Sequence, residues 1–119
     1  MGILKEKSKT QYSYEEKIAT RMILQMGIQA NLKGYSYLRK VIVLSAQNPE
    51  LQCNQLYGIV AEMYGVKPKS VERAIRYAIE LAYDVNPRQL QSFFPYRIGK
   101  PGNWEVIALA ADRVRMGGG

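Results

Sequence analysis

Only Gly65, Val66 and Lys67 separate two stretches of helical apolar period, and nothing else in this 119-residue chain restricts its folding as much. The first stretch, at about 50–64, carries Leu56, Ile59, Val60 and Met63 at i, i+3, i+4 and i+7. The second, at 68–83, carries Val71, Ala74, Ile75, Ala78 and Ala82 as one stripe. Two amphipathic helices joined this tightly, with a glycine in the joint, form a helix-turn-helix unit. The spacing has reasons. Ala61 is small enough to let the second helix cross closely. Gly65 takes the positive φ of a tight turn. Val71 plugs the angle between the two helices.

The remaining segments also read as helix, and none reads as a convincing strand. Ser13 and Glu16 have capping-box spacing and open a first helix through about residue 26, with Tyr14, Ile18 and Met22 on one face and Gly27 as its stop. A second helix at about 34–47 places Tyr35, Leu38, Val41, Ile42 and Ser45 together and ends at Asn48-Pro49. Pro68 suits the first position of the fourth helix. A short fifth helix follows Asn86-Pro87, and Phe94-Pro95 forces the chain out of it. After the loop 95–102, Asn103 is expected to cap a sixth helix that ends with Arg113 and Arg115 in its last turn. The expected architecture is all-α: a compact six-helix domain at 13–116 with a central helix-turn-helix. Residues 1–12 read as a basic flexible tail, either a solvated end or an arm touching phosphate, and 117–119 as a flexible glycine end.

Composition removes most chemistry. The chain has no histidine, so no imidazole serves as base or ligand. Its one cysteine, Cys53, rules out an intrachain disulfide or a zinc cluster and reads as a packing residue in a reducing, cytoplasmic setting. No catalytic residues, cofactor or metal are expected, and the chain does not read as an enzyme. No apolar run is long enough to span a membrane. A formal charge of +7 points to a polyanionic partner, with double-stranded DNA first.

The fourth helix locates that charge. Opposite its apolar stripe stand Lys69, Glu72, Arg73, Arg76 and Glu80, with Tyr77 beside them and Lys67 just before. The cations load the N-terminal two-thirds, the part of such a helix that enters the major groove. Arg73 and Arg76 carry the planar fork that pairs with guanine. Glu72 either accepts from a cytosine amino group or holds Arg76 at i+4. Lys67, Lys69 and Ser70 are suited to phosphates, together with the helix's own N-terminal amides. Tyr77 either reaches a phosphate or covers the edge of the core. Arg97 and Lys100 either reach flanking phosphates or belong to a solvated loop.

Three stretches, KGYSYLRKVI (33–42), SVERAIRYAIELAY (70–83) and GKPGNWEVIALAADRVR (99–115), resemble in order and spacing the C-terminal effector domain of the stage 0 sporulation master response regulator family. The likeness covers roughly residues 23–116. It implies a six-helix DNA-binding domain that reads a short box like TGTCGAA, often in tandem copies, to activate or repress promoters. It also implies contact with the sigma subunit of RNA polymerase and a homodimer on tandem sites. The VERAIR stretch is the family's reading helix, which carries base reading onto Glu72, Arg73 and Arg76. Ser70 stands where the family usually has Arg, Lys67-Pro68-Lys69 replaces a Thr-rich cap, and Tyr77 stands where His is frequent. The family's receiver domain has no counterpart in the sequence, which suggests a competitor or modulator of the full-length regulator as an alternative reading. A nonspecific DNA-coating protein is the other, although a coat needs no acid in its contact stripe.

The aromatic residues Tyr35, Tyr37, Tyr83, Phe93, Phe94 and Trp104 are expected in or near the core. The sixth helix is apolar on nearly two faces. Its second face is either further core or a dimer contact.

Overall fold

The computed structural model describes residues 13–118; the basic tail and Gly119 lie outside the described residues. Six helices and no strand are present among them: α1 (Tyr14–Gln25), α2 (Lys33–Gln47), α3 (Cys53–Tyr64), α4 (Pro68–Val85), α5 (Pro87–Gln91) and α6 (Asn103–Arg115).

Helix α2 is the axis on which α1, α3, α4 and α6 pack. Its sequence allows this because Gly34, Tyr35, Tyr37, Leu38, Val41, Ile42, Ser45 and Ala46 are all buried, and they cover most of its circumference. A helix apolar over this much of its surface must pack against several neighbours, and only the side with Ser36, Lys40 and Gln47 is left more open. Its approach to α4 is close enough to require Gly34: a β-carbon there would fall 2.8 Å from the Ala74 carbonyl carbon and 2.9 Å from the Ala78 β-carbon.

The helix ends follow local chemistry. At α1 the Glu16 amide donates to Ser13 Oγ at 3.1 Å and the Ser13 amide donates to Glu16 Oε1 at 3.0 Å, a complete capping box. Asn48 closes α2, its backbone amide and its Nδ2 both donating to the Leu44 carbonyl. Helix α3 starts at Cys53, later than the apolar period suggested. Asn48 to Leu51 form a turn first, and the Gln52 amide then donates to Gln55 Oε1 at 2.8 Å. Helix α4 runs two residues past Tyr83, because the break comes from Pro87, which disfavours helix at Asn86.

The buried faces differ from expectation in two helices. In α3 the core side is Leu56, Tyr57, Val60 and Ala61, while Ile59 and Met63 face solvent. In α1, Ile18, Ala19, Met22 and Ile23 are buried and Tyr14 lies outside, its hydroxyl donating to the Gly117 carbonyl at 2.9 Å. Helix α6 buries Val106, Ile107, Ala110, Ala111 and Val114, so its second apolar face is further core. Trp104 is the exception among the aromatics assigned to the core, at 49% exposed. Where a loose end was expected, Gly117 and Gly118 cap α6 with positive φ, and the Gly118 amide donates to the Arg113 carbonyl at 2.8 Å.

Candidate nucleic-acid interface

The turn between α3 and α4 has the expected geometry. Gly65 sits at φ 68° and ψ 34°, the left-handed region. Its amide and that of Val66 return to the Glu62 and Ala61 carbonyls, which closes α3 in a Schellman turn. Ala61 and Val71 are both buried where the helices meet. Pro68 occupies the first position of α4, where its missing amide costs nothing, and Lys67 precedes it as an extended cap residue.

This turn fixes which side of α4 faces out. Val71, Ile75, Ala78, Ile79 and Ala82 are buried. Ala74, expected in the same stripe, is half-buried and meets Gly34 through its backbone. Lys67, Lys69, Ser70, Arg73, Arg76 and Tyr77 are exposed, so the stripe of expected contact residues lies together on one open face. Tyr77 is 55% exposed and does not serve mainly as cover for the core.

Within that face the charges are organised. Glu72 Oε2 lies 3.5 Å from Arg76 Nη1, one turn on, so the intrahelical pairing of the two is realised. Among the described residues Lys67, Lys69 and Arg73 make no ion pair or side-chain hydrogen bond. Three cations are therefore free over the first two turns of α4, where the helix dipole adds positive potential, although Pro68 has no amide and the Ser70 and Val71 amides already donate to the Lys67 carbonyl.

The two loop cations are engaged differently. Lys100 Nζ reaches Glu80 Oε2 at 2.8 Å. That contact, through a direct hydrogen bond, holds the Glu80 carboxyl below its usual range although the group is open to solvent. Arg97 turns toward α6, donating to Glu105 Oε2 at 3.0 Å and to the Lys100 carbonyl at 3.2 Å. The loop is fastened further by Gln91, whose side chain donates to the Phe94 and Arg97 carbonyls and accepts from the Gly99 amide. Lys100 thus joins the α4 face through Glu80, whereas Arg97 is held by Glu105 on α6.

Between α4 and the start of α6 lies a groove of about 390 Å³, lined among others by Tyr57, Glu72, Arg76, Glu80, Lys100 and Trp104. Sequence reasoning missed one residue at its floor. Asn103 does not cap α6; Gly102 holds that position, with its amide donating to Glu105 Oε1 at 2.8 Å. Asn103 instead donates from Nδ2 to the Tyr57 hydroxyl at 3.1 Å and to the Glu72 carbonyl at 3.2 Å. Burial pushes the Tyr57 phenol well above its ordinary range, so it stays protonated there. Burial likewise raises the Cys53 thiol beside it. No helix among the described residues is long and apolar enough to cross a membrane.

The family model described as Sporulation initiation factor Spo0A C terminal matches residues 19–114.

Proposed function

The chain belongs to the Spo0A C-terminal family, which makes it a DNA-binding transcription regulator domain, and we propose that it reads a short TGTCGAA-like duplex box through the major groove with α4. The observation that carries this reading is the division of α4 into a buried stripe and an open cationic face over its first turns. Arg73, free of partners, and Arg76 supply the forks for guanine O6 and N7. Glu72 orients Arg76 and is released to a cytosine amino group when the arginine engages a base. The side chains of Lys67, Lys69 and Ser70 take phosphates and set the register, aided by the positive end of the helix dipole. Tyr77 contacts phosphate at the edge of this face, with Lys100 and Arg97 further out.

The acid within the contact stripe favours base reading over coating, because Glu72 weakens phosphate attraction and gains only from a specific donor. Tandem boxes would seat two copies on one face of the duplex. Contact with the RNA polymerase sigma subunit follows from family likeness, as does action in the cytoplasm.

Binding to a duplex with two tandem boxes, compared with a scrambled duplex at ~150 mM salt, tests the reading, since that salt suppresses counterion-driven association. A preference of at least ~10³ is expected. Equal affinities that fall alike with salt would mean that the protein reads only the backbone.

A further inference from the structure

We infer that Asn103 is a positioning residue for the reading helix, setting sequence preference through the carbonyl of Glu72 rather than by touching DNA. The inference rests on base reading by α4.

One side-chain amide joins three elements here. Asn103 is the first residue of α6, Tyr57 belongs to α3, and Glu72 lies in α4 between the phosphate-facing first turn and Arg73. Both Nδ2 bonds, at 3.1 and 3.2 Å, lie within good hydrogen-bond distance. Asn103 is partly buried, and the buried Tyr57 ring forms the wall behind it.

Elsewhere α4 is tied by the solvent-facing Lys100–Glu80 ion pair, two turns further on, and otherwise by packing. Val71, Ile75 and Ala78 hold the helix by burial. Burial fixes which side faces inward and how closely α4 lies on α2, but the hydrophobic effect itself has no direction along the helix axis. Hydrogen bonds are directional, and the Asn103 pair fixes α4 along its axis at the turn that presents Glu72, Arg73 and Arg76. Bidentate base contacts need that placement, because both arms of the guanidinium must meet O6 and N7 together. Phosphate contacts by flexible lysines tolerate a slide. Loss of the amide should therefore cost preference and leave general affinity in place.

The test uses Asn103→Asp, Asn103→Ala and Tyr57→Phe in the full chain. Asn103→Asp keeps the volume and places a carboxylate at the first position of α6, where the helix dipole favours it, so folding is preserved if Asn103→Ala proves too weak to fold. Each variant is titrated with the box duplex and the scrambled duplex, and its amide NMR spectrum is recorded without DNA. Box affinity should fall about three- to tenfold in both Asn103 variants, and less in Tyr57→Phe, which keeps the bond to Glu72. Scrambled-duplex affinity should stay within about twofold, and the DNA-free spectra should show shifts at residues 72–76. Equal losses on both duplexes, or no loss, would overturn the inference, as would unmoved α4 amides in Asn103→Asp. If the unaltered protein itself prefers neither duplex, the base-reading function fails, and the spectra alone then decide whether Asn103 positions α4.

Discussion

Gly34 in α2 and Ala74 in α4 touch backbone to backbone, and this contact sets how closely α4 lies on the central helix. A β-carbon on Gly34 would fall 2.8 Å from the Ala74 carbonyl carbon, a distance that a backbone atom cannot yield without moving α4. Gly34→Ala should therefore destabilise the fold by about 3 kcal/mol. The same exchange at Gly58, inside α3 with nothing within 4 Å of the added carbon, should stabilise by up to ~1 kcal/mol through helix propensity. Urea unfolding of the two variants checks both signs; a neutral Gly34→Ala would mean that α4 is free to shift outward.

Arg73 and Lys69 should separate by the kind of loss they cause. Arg73→Ala should cost about 1–3 kcal/mol on the box and relax preference at one base position. Lys69→Ala should weaken all duplexes alike and lower the salt slope by about one. Titrations on single-base box variants at several salt concentrations distinguish them. If Arg73→Ala weakens box and scrambled duplex equally, its contact is to phosphate.

Lys100 is tied to Glu80, which lies four residues after Arg76 and lines the same groove. Removing the lysine leaves an unneutralised carboxylate one turn from Arg76, the arginine proposed to read a base. Lys100→Ala should thus lower DNA affinity about fivefold, and only about twofold in a Glu80→Gln background. A four-protein binding cycle measures this coupling. Equal losses in both backgrounds would make Lys100 a plain phosphate contact.

The Glu16 carboxyl should give stability an acid-sensitive component. Partial burial pushes its pKa up, but the Ser13 amide and Lys40 outweigh this and hold it below its ordinary value of 4.5. A depressed native pKa stabilises the fold above the unfolded value and loses that contribution as pH falls toward the native one. The unaltered protein should lose stability steadily below pH 4.5, with a flatter acid limb in Glu16→Gln. Chemical unfolding between about pH 3 and 7 reads the difference.

Three helix ends were legible because they depend on near neighbours: Ser13 with Glu16, Gly65 in its turn and Pro68 at the start of α4. Burial in α3 was less legible. Leu56 and Val60 belong to two overlapping stripes, one with Ile59 and Met63 and one with Tyr57 and Ala61. Only the position of α2 and α4 selects between them, and periodicity holds no record of it. The same holds for the site. The α4 face follows from spacing within one helix, whereas the tie of Lys100 to Glu80 spans 20 residues and that of Asn103 to Tyr57 spans 46. Asn103 has a residue type that suits a cap, so its local signal pointed to α6 while its bonds go to α3 and α4. Gly34 looked like an ordinary helix start because a crowded crossing leaves no trace in the residues beside it.

The hydrogen bond from the Tyr14 hydroxyl to the Gly117 carbonyl joins residues 103 positions apart. It makes the described polypeptide nearly a closed ring, in which the first and last helices meet at one seam. A ring has no privileged starting point. A short bridge across that seam would let the polypeptide be opened afresh in an exposed connection such as Pro49-Glu50 between α2 and α3, giving a circularly permuted domain with the same core and the same open face on α4.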